Sequence, residues 1–508
     1  MMIEFDSSVS RVILSLASVV GVSSAAAFAA SDPNPDATRA TDSISVVRDA
    51  PAPDGDYPTY DEIVQEMMDA ATNFPDICAF VDLTDLYGLP ATVQGRHLVA
   101  VKISDSVGLD EDEPSFMMVS AHHGNEIITP VIALDAISRF TSEYGSDPRV
   151  TDAVDSYEIW IAPVWNPDGY VAGTRHNARD RDLNRDYPFG WEADGCTSGD
   201  APLTEVETQT MIVWSEDQGF DKVLDYHSSG RETLHGYRCL EHPFDEYLIA
   251  EAIGLSEASS YGGDHRPPSA DGEQYQWQLG AMGAYSFLTE TGRRQQPDYS
   301  QALAEADRVW PGTLWMIERP IPLSGRVSDA NTGAPLEASV RLIDVIYPNG
   351  EMNSSRGAHG RYSVFAPAGE YLVAYEKPGY EPVIELVSID PEVELTLDVA
   401  LTPDANRLIM EIDPFVSGFD ATLRVVNATP NETAYFAYSL GGFGLTPVPE
   451  LGVSLSVVNA RLGATAVADG TGLAEATALI PPSASTQTVY LQAAQVGRVS
   501  NVVVELIE

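Results

Sequence analysis

Cysteine is scarce in this sequence: Cys78, Cys196 and Cys239 are its three cysteines in a chain of 508 residues. Three are too few for a disulfide scaffold or for a zinc site built from cysteine alone. In an oxidising compartment Cys196 and Cys239 could pair, which would leave Cys78 unpaired. A chain of this length predicts two to four domains rather than one core.

Basic residues are also scarce. The chain has 28 Lys and Arg residues against 76 Asp and Glu residues, for a formal net charge of −48, and its lysines are Lys102, Lys222 and Lys377. This balance excludes a general basic surface of the kind that binds nucleic acid or an anionic membrane. We interpret the charge as an aid to solubility in a salty environment, where counterions screen the self-repulsion.

Long apolar stretches are confined to the beginning of the chain. There a basic residue precedes VILSLASVVGVSSAAAFA, which predicts a secretory signal at residues 1–29. Glu4 and Asp6 leave open a start downstream of Met1. A membrane anchor is disfavoured because serines interrupt the stretch. We predict a secreted or periplasmic protein without integral membrane association after signal removal, and a linker over residues 30–56.

Residues 57–320 alternate between two patterns. Apolar runs bounded by turn residues predict strands buried on both faces, and the amphipathic segments between them predict helices. The predicted strands are LVAVKI (98–103), SFMMVS (115–120), IWIAPVW (159–165), KVLDY (222–226) and AYSFLT (284–289), and the predicted helices cover 129–144, 204–219, 243–260 and 301–318. This order predicts an α/β domain with a mixed, mainly parallel sheet covered by helices on both faces.

The pattern changes after residue 320. Period-two runs such as ASVRLIDV and GEYLVAYE, separated by Gly, Pro and Asn, predict a small β-sandwich over residues 321–402. Residues 403–508 are again strand and turn, and predict a second β-sandwich with a hairpin around Asp469-Gly470. Neither segment carries a cluster of catalytic residue types.

Polar residues follow the ends of four predicted strands. HHGNE follows SFMMVS, Asn166-Pro167-Asp168-Gly169 follows IWIAPVW, His227 follows KVLDY, and Glu290 ends AYSFLTE. Ligands of open α/β sheets bind beyond the carboxyl ends of the strands. We therefore expect these residues to converge on one crevice.

The residue types at these ends are those of a hydrolytic zinc site, which needs about three His or carboxylate ligands and a free position for water. His123 and Glu126, three residues apart, can present a nitrogen and an oxygen to one ion, and His227 would complete the set. His122 competes with His123, but neighbours in an extended segment point to opposite faces. His-x-x-Glu alone is a weak signal.

Five ordered motifs now resemble a known family. They are HGNE (123–126), NPDG (166–169), Arg175-x-Asn177-Ala178 leading into DLNR (182–185), YHS (226–228) and FLTE (287–290). Together they resemble the zinc metallocarboxypeptidases, which include carboxypeptidases A and B and the regulatory carboxypeptidases E, N and D. The resemblance covers residues 57–320 and is nearer to the regulatory branch.

The resemblance implies a role for each motif. It implies one Zn²⁺ ion bound by His123, Glu126 and His227, with Glu290 as the general base. These roles suit hydrolysis, because zinc polarises a water molecule and the glutamate accepts the proton of that water.

It further implies that Arg175 polarises the scissile carbonyl and that Asn184 and Arg185 hold the terminal carboxylate of the substrate. An arginine fork suits a carboxylate because it pairs with both oxygens. Asp182 matches the aspartate that orients the first zinc histidine.

One position departs from the family pattern. The family places a mobile, substrate-facing tyrosine in an Asp-aromatic-x-Tyr segment before the catalytic glutamate. Alignment through GAYSF (283–287) puts Leu279 at the tyrosine and Gln276 at the aspartate. Tyr275 is the nearby candidate for that substrate-binding role.

The β segment 321–402 resembles the transthyretin-like domain that follows the catalytic domain in regulatory carboxypeptidases. The expected activity is cleavage of the last residue from peptide or protein C-termini. An amide deacylase on the same scaffold and an inactive adhesion or binding protein remain alternatives. Side-chain preference stays open, because the acidic chain favours cationic peptides whereas Arg231 could favour acidic ones. The oligomeric state is not readable.

Overall fold

An eight-stranded mixed sheet organises the first half of the protein. The computed structural model describes residues 57–191, 201–404, 407–485 and 487–507, so the predicted signal and linker lie outside the described residues. The strand order is β1-β2-β4-β3-β5-β8-β6-β7. The strands are β1 Cys78–Asp82, β2 Val99–Ile103, β3 Ser115–Ser120, β4 Glu158–Ala162, β5 Lys222–His227, β6 Glu232–Leu234, β7 His265–Arg266 and β8 Tyr285–Glu290.

The central strands of this sheet are parallel and buried. Strands β4, β3, β5 and β8 run parallel to one another, whereas β1, β2 and β6 pair antiparallel. Every residue of β2, β3, β4 and β5 is buried. Burial on both faces is what their continuous apolar runs predict, and the predicted α/β class with a mixed sheet is confirmed.

Helices connect and cover these strands. They are α1 Tyr60–Asn73, α2 Leu83–Tyr87, α3 Ile128–Ser142, α4 Pro148–Val154, α5 Pro167–Ala172, α6 Val206–Gln218, α7 Asp245–Ala258, α8 Gln274–Met282 and α9 Tyr299–Glu318. Local sequence explains several starts: Thr59 and Glu62 form a capping box on α1, and Asp147 caps α4 ahead of Pro148. In the described part of the chain, no helix is both long and apolar enough to cross a membrane.

The chain after α9 is built from strands. Two three-stranded sheets come first, with orders β10-β12-β13 and β11-β9-β14. Their strands are β9 Leu323–Asp329, β10 Ser339–Leu342, β11 Arg361–Val364, β12 Gly369–Glu376, β13 Val383–Ile389 and β14 Val399–Leu401. This β segment packs on the first domain through Arg356, which donates to Met282 O at 2.7 Å, and through Ser363, which bonds Asp221.

Three further sheets follow in the last segment, with orders β15-β16-β21, β20-β17-β22-β23 and β18-β19. Their strands are β15 Ile409–Ile412, β16 Asp420–Val426, β17 Thr433–Ser439, β18 Phe443–Val448, β19 Val453–Val457, β20 Arg461–Val467, β21 Ala474–Leu479, β22 Thr488–Gln495 and β23 Arg498–Leu506. The hairpin predicted around Asp469-Gly470 is wrong, because β20 pairs with β17 and β21 pairs with β16. The turn there joins two sheets instead of two neighbouring strands.

Candidate active site

Three strand ends bring the predicted site residues to one edge of the sheet. β3 and β5 are parallel neighbours with Ser120 opposite Tyr226, and β5 and β8 are parallel neighbours with His227 opposite Glu290. The HHGNE turn begins directly after β3. This shared carboxyl edge therefore gathers side chains that are far apart in the sequence.

His123, Glu126 and His227 form one buried cluster. His123 Nδ1 lies 2.8 Å from Glu126 Oε1 and 3.1 Å from His227 Nδ1. His227 Nδ1 lies 3.2 Å from Glu126 Oε2. Burial raises the pKa of Glu126, but the two imidazoles outweigh it and hold that pKa at about 2, so the carboxylate stays ionised.

This donor set fits a zinc ion. Four-coordinate zinc with bonds of about 2.0–2.1 Å separates its donors by roughly 3.3 Å, close to the 2.8–3.2 Å found between the facing atoms. The two imidazole nitrogens face each other and the Glu126 carboxylate, so a single cation placed between them could bind all three groups. Two imidazoles and one carboxylate are also a known ligand set of catalytic zinc.

The outer nitrogens of both histidines are fixed by aspartates. His123 Nε2 donates to Asp182 Oδ1 at 3.1 Å, and His227 Nε2 donates to Asp225 Oδ2 at 3.1 Å. A proton on each Nε2 leaves the Nδ1 lone pair facing the cluster, which is the tautomer that a metal ligand requires. Burial raises the pKa of Asp182, but the hydrogen bond from His123 and the guanidinium charges of Arg175 and Arg185 outweigh burial and hold that pKa well below its usual range.

Asp225 is a site residue that the sequence reasoning missed. It precedes His227 by two positions on β5, so strand alternation places both side chains on one face. That spacing was the available signal. His122 is bound on the other side of Asp225, with Nδ1 3.2 Å from Asp225 Oδ1 and Nε2 3.1 Å from Tyr187 Oη. His122, Asp225 and His227 also bring three donor atoms together, but there Asp225 bonds one histidine through each of its two oxygens, and the two rings are stacked.

Two glycines allow the motifs to pack closely. A Cβ on Gly124 would lie 2.1 Å from the backbone carbon of Gly169, so the HGNE turn and the NPDG turn touch through backbone. Asn166 caps α5 by accepting from Gly169 N at 2.9 Å, and its amide also donates to Arg175 O at 3.2 Å. The NPDG motif thus caps α5 and holds the backbone of Arg175 in place through Asn166.

Arg175 lies at the rim of the metal cluster. Its Nε donates to Asp182 Oδ2 at 3.0 Å, while Nη1 lies 3.2 Å from His123 Nδ1 and 3.7 Å from Glu126 Oε1. About a third of the side chain is exposed (37%), so one edge of the guanidinium is anchored and another can meet a ligand.

Asn184 and Arg185 share one 3-10 turn, Leu183–Arg185, capped by Asp182. Asn184 is buried, with Oδ1 accepting from Gln274 N at 2.8 Å and Nδ2 3.3 Å from His227 Nε2. The guanidinium of Arg185 donates to Glu273 Oε1 at 2.8 Å. Sequence reasoning missed Glu273, which lies in a loop without a periodic pattern.

Glu290 ends β8 beside the cluster. Its Oε2 is buried and has no hydrogen-bond partner among the described residues, and its Oε1 lies 3.7 Å from Arg266 Nη2. Burial raises the pKa of Glu290. Arg266, also missed by the sequence reasoning, is held in place by Glu232, which accepts from its Nε at 2.7 Å.

Two residues singled out in the sequence face elsewhere. Tyr275 is fully buried against Leu234 and Leu288 and donates to Gly236 O at 3.1 Å, so it is not a substrate-facing hydroxyl. The structure thus gives no substitute for the family tyrosine at this position. The guanidinium of Arg231 makes two hydrogen bonds to Glu305 and is not free to select acidic termini.

The cysteine prediction is tested only in part. Cys78 is a buried free thiol. Cys196 lies outside the described residues, so its pairing with Cys239 stays a prediction.

A mixed sheet with a buried His–Glu–His cluster beyond the carboxyl ends of its parallel strands is the arrangement expected of a metallohydrolase. Residues 63–310 match the sequence family described as "Zinc carboxypeptidase", so this segment of the chain is similar to the members of that family. Zinc is the metal of that family, and its members are hydrolases.

Curated relatives agree with this assignment. Carboxypeptidase SOL1 of Arabidopsis thaliana is 26% identical over 69% of this chain and 73% of its own length. Carboxypeptidase D of Rattus norvegicus is 30% identical over 73% of this chain, which spans only 30% of that longer protein. The carboxypeptidase N catalytic chain of Mus musculus is 24% identical over 69% of this chain and 86% of its own length. Among solved structures, carboxypeptidase A from Helicoverpa armigera covers 51% of this chain and 72% of its own, at 20% identity and a TM-score of 0.44.

Proposed function

We propose that this protein is a zinc-dependent metallocarboxypeptidase that hydrolyses the C-terminal peptide bond of peptides or proteins. The observation that carries the proposal is the convergence of His123, Glu126 and His227 in one buried cluster. These residues would hold the zinc ion, with Asp182 and Asp225 fixing the histidine rings. A bound zinc ion would lower the pKa of a water molecule to about 7 and polarise the substrate carbonyl.

Glu290 would serve as the general base. Its Oε2 is buried, has no hydrogen-bond partner in the described part of the chain, and would be available to accept a proton from the attacking water. Its raised pKa brings the carboxyl closer to the range where a group both accepts and returns protons near neutral pH. The same carboxyl would then deliver the proton to the departing amine.

Arg175 would stabilise the negative charge that develops on the scissile carbonyl oxygen. Its Nη1 lies at the metal cluster, and its hydrogen bond to Asp182 holds it there before substrate arrives. A donor that is already oriented does not need to reorganise during the reaction.

Asn184 and Arg185 would select the last peptide bond. Peptide bonds along a chain are alike, so choosing the final one requires recognition of the free carboxylate that only the terminus has. Arg185 lies next to Asn184, whose amide contacts His227. The terminal carboxylate would thus be held beside the metal, with the scissile bond one residue away.

Secretion is part of the proposal and rests on the signal pattern at residues 1–29. N-terminal sequencing of the exported protein is expected to begin near Ala30. A mature protein that keeps residues 1–29 would contradict it.

The test is release of the last amino acid from unmodified peptides by zinc-loaded enzyme, followed as free amino acid over time. Chelation and His227→Ala are each expected to abolish release together with bound zinc. Internal fragments as first products would indicate an endopeptidase. Hydrolysis of N-acyl amino acids without peptide cleavage would indicate a deacylase, and zinc binding without any hydrolysis would indicate a binding protein.

A further inference from the structure

Most arginines of the first domain are neutralised by a carboxylate of the protein. Arg149, Arg231 and Arg266, for example, each contact a glutamate. In the described part of residues 57–320, the exposed arginines without a carboxylate partner are Arg181, Arg238, Arg293 and Arg294. The chain has 76 acidic residues against 28 basic ones, so an arginine that keeps its charge unpaired is an exception here. Arg293 and Arg294 are also adjacent, which doubles the charge at one place.

The loop that carries this arginine pair is fastened beside the metal cluster. It begins directly after Glu290, and Thr291 N donates to His227 O at 2.7 Å. On the other side of the pair, Gln295 Oε1 accepts from Asn125 Nδ2 at 3.2 Å, and Asn125 belongs to the HGNE turn. The loop is thus attached to the segments of two proposed zinc ligands, while both arginine side chains are exposed to solvent.

The carboxylates near this loop are bound to other groups. Glu305 accepts from Gly292 N at 3.1 Å and holds the guanidinium of Arg231. Glu232 accepts from Arg266 Nε at 2.7 Å. The arginine pair therefore forms a positive spot on a chain whose formal net charge is −48. At long range that net charge repels an acidic peptide, so an acidic segment gains only where it contacts the pair directly.

We infer that Arg293 and Arg294 bind acidic side chains of the substrate a few residues upstream of the scissile bond. This inference rests on the proposed carboxypeptidase function and adds a feature of the substrate to it. With the terminal carboxylate at Arg185 and the scissile bond at the metal cluster, the preceding residues must leave the cluster by another side. Among the described residues, loop 291–295 makes no hydrogen bond to Asn184 or Arg185, so it is placed to meet those preceding residues.

The experiment compares kcat/KM for peptides that share their last two residues and carry two glutamates, two glutamines or two lysines at the third and fourth positions from the C-terminus. At about 0.15 M salt the Debye length is about 8 Å, so the long-range field of the acidic chain is screened and direct contacts remain. Zinc-loaded wild type is expected to prefer glutamate over glutamine by roughly 2- to 30-fold, the effect of two exposed ion pairs. Lysine is expected to be the poorest of the three.

The variant that replaces both arginines, Arg293→Gln with Arg294→Gln, is expected to lose this preference by slowing on the glutamate peptide. The change should appear mainly in KM, because the contact lies away from the reacting bond. Arg238→Gln is the matched control and is expected to keep the preference. It removes an equally exposed arginine on the loop after β6, where Arg238 N donates to Asp271 Oδ1 at 2.7 Å.

The outcomes separate this inference from the proposed function. If wild type releases no residue from any of the three peptides, the carboxypeptidase proposal fails. If it cleaves the glutamate and glutamine peptides equally, or if the double variant keeps the preference, the inference alone is overturned. Loss of the preference in Arg238→Gln would also overturn it, since overall charge would then explain the effect. An equal loss on all three peptides would mean that the loop only supports the site.

Discussion

The two ends of strand β5 differ in how their buried polar side chains are paired. At its amino end, Lys222 is buried and its ammonium donates to Tyr157 Oη at 2.7 Å and to Ile317 O at 2.6 Å, as well as to Arg319 O. At its carboxyl end, His227 Nδ1 lies 3.1 Å from His123 Nδ1 and 3.2 Å from Glu126 Oε2, an arrangement that a cation held between the three residues would suit. A few residues of one strand thus separate a charge satisfied by the protein from a site completed by a ligand.

The comparison shows why burial alone does not identify a site. Both ends of β5 are buried, and both carry a group whose pKa is shifted. Burial lowers the pKa of Lys222 to about 7, and the neighbouring carboxylates of Asp225 and Glu126 outweigh burial and raise the pKa of His227. The two ends differ in whether their buried polar atoms have hydrogen-bond partners. Lys222 closes the carboxyl end of α9 by meeting its last carbonyls, which is a structural task. At the other end, Oε2 of Glu290 and Oε2 of Glu273 are buried and have no hydrogen-bond partner among the described residues, whereas most buried carboxylate oxygens have one.

The largest expected effect is on kcat and comes from Glu290, at the carboxyl end of the sheet. Glu290→Gln preserves size and removes the ability to accept a proton, so kcat is expected to fall by about two to four orders of magnitude. Zinc content and thermal stability are expected to stay close to wild type, because Glu290 is not among the three ligands. Metal analysis and single-turnover kinetics measure the two separately. A fully active Glu290→Gln enzyme would remove Glu290 from the mechanism.

A smaller effect is expected from the aspartates that orient the ligands. Asp182→Asn and Asp225→Asn each leave one of the histidines proposed to bind zinc without its carboxylate partner, and such changes typically lower metal affinity by about 10- to 100-fold. Competition with a chelator of known affinity gives the zinc Kd for each variant. Asp168→Asn is the control, since Asp168 bonds Thr92 and Arg96 away from the histidines. Unchanged zinc affinity in both variants would contradict the tautomer argument.

At the amino end of β5 the expected effect concerns stability and not catalysis. The pKa of Lys222 is lowered from 10.5 to about 7, so between these values the unfolded state binds a proton that the folded state lacks. Folded stability from this group therefore rises with pH across that window. The difference in unfolding free energy, wild type minus Lys222→Met, should grow by up to about 1.4 kcal/mol per pH unit there. A pH-independent difference would mean that Lys222 stays charged, and zinc affinity should be unchanged in either case.

Much of the fold and of the site could be predicted from local patterns. Five buried strands were placed within a few residues because continuous apolar runs bounded by turns leave few alternatives. Their carboxyl ends then predicted where His123, His227 and Glu290 would meet. Helix α8 was missed because all nine of its residues are buried, so it shows no amphipathic stripe.

Other features depend on contacts between distant segments. Arg266 reaches the site from the short edge strand β7 and Glu273 from the N-cap of α8, and nothing in their neighbourhood in the sequence indicates a partner. Tyr275 was chosen for proximity in sequence, but its ring fills a small core next to the site. The strand pairing near Asp469 was likewise decided by the neighbouring sheets and not by the turn.

We propose that the protein recognises the free C-terminus of its substrate through Arg185. The most direct measurement is the rate of terminal-residue release from matched free-acid and amidated peptides by wild type, Arg185→Ala and Arg181→Ala. Arg181 is an exposed arginine four residues away and serves as the control. Wild type and Arg181→Ala are expected to prefer the free acid by roughly 10- to 100-fold, the loss expected for one hydrogen bond to a charged group. Arg185→Ala is expected to lose most of that ratio by slowing on the free acid alone. Equal rates of wild type on both peptides would contradict the account.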